Sequence, residues 1–297
     1  MPHRGGMWWQ RQASGMDNYC SKNEADVAGA TLIVRLAADG LRLAQSDGAG
    51  RIVARSWEVD PAISVLANLK AMLATVQRPP QGFARVCAVT CDHRVTIVPT
   101  ALHDDRLAHD VCDACFDLED CDALESRIVP HAGCVALFAF NRFVKRYLTA
   151  EFGRVDYFNT FALLLDEASA RANGCAGRVV TAVLSGGLMA VYAHEAGKLL
   201  FSNVFECEDD NLRLFYLLHV WRALGFSQLD DRLDIVCLEG DVSGFVQLAR
   251  LYVSQIVQVG RDMSGMSVPG NDRVMTEDMA CLSRRANNYG ANEDSRW

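Results

Sequence analysis

The sequence predicts an α/β protein built from one unit used twice, and three observations carry that prediction. Residues 178–238 read as three β-runs separated by tight turns, then an amphipathic helix, then one apolar strand. Residues 32–89 repeat the same order at an offset of about 148 positions, turn on turn and helix on helix, with almost no residue identity. Half of the 297 residues are hydrophobic, enough to bury one large core or two modest ones.

In the first copy, residues 32–37, 41–45 and 51–59 are the strands, and Asp39-Gly40 and Ser46-Asp47-Gly48-Ala49-Gly50 are the turns. Asp60-Pro61 marks a helix start, Ile63, Leu66, Leu69 and Leu73 recur along one face, and Arg78-Pro79-Pro80 ends the helix. Residues 84–89 form the next strand. Residues 94–99 are expected to fold back on 85–90 as a hairpin across Cys91-Asp92-His93. Residues 103–125 are strongly acidic, with Leu107, Val111, Cys115 and Leu118 at roughly helical spacing, which describes a solvated helix face rather than a cation site.

Residues 127–140 are apolar but interrupted by Pro130, His131 and Gly133, so they read as a strand followed by a strand or a helix. Phe143, Tyr147 and Leu148 extend them as an amphipathic helix. A further helix over 158–171 carries Phe161, Leu164, Leu165 and Ala168 on one stripe and ends at Asn173-Gly174. The second meander uses 179–184, 188–194 and 199–206, with Ser185-Gly186-Gly187 and Glu195-Ala196-Gly197-Lys198 as its turns. Acidic Glu208, Asp209 and Asp210 suit the start of the following helix, and Gly225 suits a left-handed cap at its end. A strand over 233–238 and a helix over 243–256 complete this copy. The expected division is a disordered tail over 1–27, a first half over 28–126, a second half over 127–259 and a second disordered tail over 260–297.

Charge and composition exclude several functions. A net charge of -8 opposes nonspecific binding to nucleic acid or to an anionic membrane, and no basic patch offsets it. The longest apolar run, 134–140, is far too short to span a bilayer, and residues 1–30 lack the apolar core of a secretory signal, so the expected location is cytoplasmic. Eleven cysteines, an odd number, read as reduced thiols. Cys112 and Cys115 have knuckle spacing, with Cys121 and His109 near, but a structural zinc site needs a second such pair, and no metal is assigned. His219 beside Trp221 reads as a partly buried packing residue, and His131 and His194 fall near strand ends with no partner legible.

A three-stranded meander, a helix, a parallel strand and a helix, used twice, is the pattern of the ribonuclease-H-like unit duplicated in actin-like ATPases. Specific segments resemble a bacterial domain-of-unknown-function family, number 3822, similar in fold to those ATPases. They are Val95-Thr96-Ile97-Val98-Pro99, Gly197-Lys198-Leu199-Leu200-Phe201-Ser202-Asn203, and the helix with an acidic start and aromatic middle over 209–224. The resemblance spans about 31–258 and implies the fold, with no activity attached to it.

In active members of that fold, the first turn of each meander wraps phosphate between the halves and carboxylates hold Mg²⁺ through water. The resemblance places the corresponding cleft at Asp39, Gly40, Ser185, Gly186, Gly187 and Gly240. The turns are eroded. Asp39 is followed by Leu41, Arg42 and Leu43 without Thr or Ser, the second turn has no carboxylate, and Glu239-Gly240-Asp241 holds one glycine where a pair is expected. Walker, nucleophile-elbow and His-Glu-x-x-His patterns are missing. The sequence therefore favours a noncatalytic scaffold that binds another protein and takes no cofactor. The alternative is a nucleotide-binding ATPase or kinase-like enzyme using ATP and Mg²⁺ with degenerate phosphate motifs.

Overall fold

The computed structural model describes residues 29–38, 40–46, 51–260 and 275–288, with side chains to 285 in the last segment. The first meander is β1 (Thr31–Ala37), β2 (Gly40–Ser46) and β3 (Ile52–Trp57). Helix α1 (Val65–Leu73) follows, its start capped by the Ser64 hydroxyl, which accepts from the Ala67 amide. Strand β4 (Arg85–Cys91) then lies parallel to β1, Thr31 opposite Arg85.

Next come β5 (Val95–Pro99), α2 (Ala108–Cys115), β6 (Asp122–Val129), β7 (Cys134–Asn141) and α3 (Arg142–Phe152). The three strands form a separate antiparallel sheet in the order β5-β7-β6. The expected hairpin between 94–99 and 85–90 is therefore corrected: β5 pairs with β7, Val95 opposite Phe138. Strand β4 has no edge to offer, because β1 takes one side and β8 (Asp156–Asn159) takes the other. Strand β8 belongs to the first sheet, order β3-β2-β1-β4-β8, beyond the expected division between 126 and 127, which falls inside β6.

Helix α4 (Thr160–Ala172) leads into β9 (Arg178–Ser185), β10 (Leu188–Glu195) and β11 (Lys198–Glu206). The chain continues with α5 (Asp210–Ala223), β12 (Arg232–Cys237), α6 (Ser243–Ala249) and β13 (Gln255–Val259). The second sheet has the order β11-β10-β9-β12-β13, which matches the first strand for strand. Its parallel register places Val179 opposite Arg232, so the internal offset read from the sequence is the offset of the two strand registers. The helix expected over 243–256 stops at Ala249, and the β-branched run Ile256-Val257 pairs with β12 as an edge strand instead.

Helix α4 is buried on almost every side. Phe161, Leu164, Leu165 and Ala168 pack on Val183, Tyr192 and Val236 of the second sheet, while Leu163 joins Ile33, Cys87 and Val89 of the first. The expected tail over 260–297 is corrected in part by α7 (Glu277–Asn288), which returns to the first half. Met275, Met279, Ala280 and Leu282 bury completely against Ile33, Ala44 and Phe158. The polar character of 260–297 hides this helix, because its charged side chains are paired inside the fold. Residues 1–28, 261–274 and 289–297 lie outside the described residues, so the tails expected there are not addressed.

Candidate functional site

The carboxyl ends of β1 and β4 face the ends of β9 and β12, and a buried charge network joins them. Strand alternation puts Leu32, Val34 and Leu36 on the α1–α3 side of the first sheet, which leaves Arg35 on the α7 side with Ile33. Arg35 is fully buried. Its Nη2 lies 2.7 Å from Glu239 Oε1, just past β12, and its Nε lies 3.0 Å from Asp278 Oδ2 in the first turn of α7. Nη2 also donates to Ser185 Oγ at 3.4 Å. Arg42 on β2 reaches the same Glu239 oxygen at 2.6 Å, and Thr160 at the start of α4 donates to Asp278 Oδ2 at 2.6 Å. Six segments from both halves thus meet, among the described residues, on two guanidinium groups and two carboxylates.

Electrostatics keep the network ionised. Burial opposes the Arg35 charge, but the Asp278 and Glu239 carboxylates outweigh it and push its pKa further up. Burial likewise opposes the Asp278 carboxylate, and Arg35 with the Thr160 hydroxyl still holds it below its ordinary 3.8. Cys91 lies 3.2 Å from Ser185 Oγ, its thiol pushed up to about 11 chiefly by burial, so it is a neutral member of the cluster.

The sequence-derived site residues separate into three groups. Ser185 sits in the network and Gly187 lines the groove above it. Gly240, at φ +83°, lies beside Glu239, where the Cys237 thiol donates to the Glu239 carbonyl at 3.1 Å. Gly40 and Gly186 have local roles instead. Gly40 is buried opposite Ala37 at φ +139°, and a Cβ there would stand 3.1 Å from the Trp57 carbonyl oxygen. Gly186, at φ +53°, turns β9 into β10, and its carbonyl accepts from Arg213. Asp39 lies outside the described residues. Sequence reasoning missed Arg35, Arg42, Thr160 and Asp278. Arg35 alone left a signal, as the one charge in the apolar run of β1.

Above the network the cleft opens into a groove of about 970 Å³ between the halves. Leu36–Ala38 and Thr90–Arg94 form its end, the three-stranded sheet and the end of α2 one wall, and Gly187, Leu188 and Glu206 the other. Other reactive side chains lie elsewhere. His194 is buried with Nε2 2.9 Å from Ser169 Oγ, and half-exposed His131 places Nδ1 3.0 Å from Asp166. His219 is exposed and stacks on Phe215 rather than packing in the core. The Cys112 side chain is in the small core under α2 while Cys115 faces solvent, so the pair is split. Among the described residues no group of three or more His, Cys, Asp or Glu is placed to hold a metal ion.

Two five-stranded sheets of identical order, facing across a cleft with a third small sheet beside it, define an actin-like ATPase fold. The chain is similar to a crystal structure at 1.85 Å from Bacteroides thetaiotaomicron VPI-5482, a protein with actin-like ATPase fold and unknown function. That likeness has 21% identity and a TM-score of 0.73, and covers 89% of this chain and 99% of the other. It is also similar, at 11% identity and a TM-score of 0.55, to a chain of the PilM-PilN type IV pilus biogenesis complex, covering 86% of this chain and 98% of that one. No curated protein matches the sequence. The chain belongs to the family described as protein of unknown function DUF3822, which matches residues 21–256.

Proposed function

We propose that this protein is a noncatalytic scaffold, a pseudo-ATPase that keeps the actin-like architecture and uses it to hold a protein partner. The Arg35–Glu239–Asp278 network carries this reading. Mg²⁺-ATP needs carboxylates turned toward metal-bound water and backbone amides turned toward phosphate. At the base of this cleft both described carboxylates, Glu239 and Asp278, are turned toward guanidinium groups of the same chain. Those residues do not fit Mg²⁺-ATP. A triphosphate would have to pass a groove mouth lined by Asp92, Asp117, Glu119 and Glu206, then compete with Glu239 for Arg35 and Arg42.

A partner protein is the use of the scaffold that the fold supports. The similar PilM chain stands in a complex with PilN, and the groove here, at about 970 Å³, has the volume to take a short peptide segment. A cytoplasmic location accompanies this reading: the ten described cysteines are all free, as a reducing compartment keeps them. No helix among the described residues is long and apolar enough to cross a membrane.

The test is a thermal-shift titration with ATP, ADP and GTP, with and without Mg²⁺, because any ligand of the native state raises apparent stability. The expected result is no shift at millimolar nucleotide, together with recovery of a saturable partner in pull-down. A saturable, Mg²⁺-dependent rise would overturn the scaffold reading in favour of a nucleotide-binding enzyme.

A further inference from the structure

The groove mouth differs from the rest of the cleft in having an apolar floor and an acidic rim. Val65, Phe116 and Leu188 supply apolar surface, with Val65 half exposed. Asp92, Asp117, Glu119 and Glu206 supply four carboxylates against one guanidinium, that of Arg94, among the described lining residues. Arg94 is itself committed, 2.8 Å from Asp92 and 2.5 Å from Asp122. Asp117, Glu119 and Glu206 are exposed, so their charges meet whatever enters.

From this geometry we propose that the groove docks a cationic segment of a partner protein, a short extended stretch in which Lys or Arg flank an apolar anchor residue. The inference rests on the scaffold reading and names the chemistry of its partner. Charge complementarity selects the occupant. An acidic rim raises the local concentration of a basic segment and repels nucleotide, nucleic acid and anionic lipid, while the apolar floor supplies the burial that charge alone does not. A volume of about 970 Å³ is at the upper end of the range for small-molecule sites, and the opening runs from the end of the first sheet to the β9–β10 turn, which suits a peptide. Glu206 Oε1 lies 3.5 Å from His93 Nδ1, so residues of both halves meet at this edge of the groove.

The test uses the full chain and two fluorescein-labelled decapeptides, one alternating Lys and Leu, the other Glu and Leu, followed by fluorescence anisotropy. The Lys-Leu peptide is expected to bind, more weakly as salt rises, and the Glu-Leu peptide is not. The triple variant Asp117→Lys, Glu119→Lys, Glu206→Lys is expected to lose at least about tenfold in affinity with an unchanged melting point. A control of equal charge change on exposed residues outside the groove, Glu58→Lys, Asp105→Lys, Asp230→Lys, is expected to stay within about twofold. Bound peptide is also expected to slow alkylation of Cys115, the exposed thiol in the groove lining. The inference is overturned by no binding at millimolar peptide, by equal losses in both triple variants, or by unchanged Cys115 alkylation. Any of these results beside a flat nucleotide titration leaves the scaffold standing and removes the groove as its docking site. A Mg²⁺-dependent ATP shift removes the scaffold reading itself, whatever the peptides do.

Discussion

The cleft treats its carboxylates in opposite ways at its base and at its mouth. At the base, Asp278 is fully buried and Glu239 is only 12% exposed, and both are held by guanidinium groups at 2.6–3.0 Å. At the mouth, Asp117, Glu119 and Glu206 stand in water. An ionised carboxylate out of water persists only with a partner, so each charge at the base is part of the structure. A solvated carboxylate loses nothing by standing open, and it keeps its field for a ligand. Burial, more than residue type, therefore separates the charges that hold the halves together from those that face outward.

The largest effect that could break this comparison is at the base. Asp278→Leu strips a carboxylate from buried Arg35, and breaking a buried pair in this way costs about 3–5 kcal/mol. Urea denaturation measures it directly. Adding Arg35→Met to Asp278→Leu is expected to recover much of the loss, since apolar replacements of a buried pair are often neutral. A loss under about 1 kcal/mol for Asp278→Leu would mean that the network is incidental to the fold.

Acid comes next and sharpens the comparison by separating two buried groups. His194 on β10 faces Ser169 of α4, and burial first, then the Arg171 charge, lowers its pKa from 6.5 to about 4. The folded state favours neutral imidazole. Stability is therefore complete above pH 6.5 and falls as the pH drops toward 4, by something on the order of 2–3 kcal/mol. Asp278, held below 3.8, adds a second loss at lower pH, where its carboxylate takes up a proton and the ion pair with Arg35 ends. Urea midpoints taken from neutral to acid pH are expected to show both steps, and His194→Gln to remove the upper one alone. A flat profile between 6.5 and 4 would rule out the buried neutral imidazole.

The duplicated meanders were legible because tight turns and strand alternation are local signals, and the agreement between copies doubled them. What escaped depends on long-range pairing. Strand β5 was assigned to β4 because they are adjacent in sequence, yet β8, more than sixty residues later, had already taken the free edge. Helix α7 escaped because the chain that enters and forms it is buried all round from Met275 to Ser283, and the polar residues among these, Thr276, Glu277, Asp278 and Ser283, read as solvent-exposed. Asp278 meets Arg35 across 243 positions, and nothing near either residue announces the other. In the candidate site, Ser185, Gly187 and Gly240 were placed near the cleft by analogy with the fold, while the side chains that fill its base became visible only in three dimensions.

The smallest expected effect tests the other side of the comparison. Asp117→Lys or Glu119→Lys reverses a charge that has water around it, and such exposed changes shift stability by no more than about 0.5 kcal/mol. Glu239→Gln, which reverses nothing and only neutralises a charge, is expected to cost several times more, because Glu239 lies between Arg35 and Arg42 with little water to replace it. Urea midpoints for these single variants, measured at one pH and one salt concentration, give the ratio. If the mouth variants lost as much as Glu239→Gln, the exposed carboxylates would also be holding the halves together, and the division between a structural base and a recognising mouth would fail.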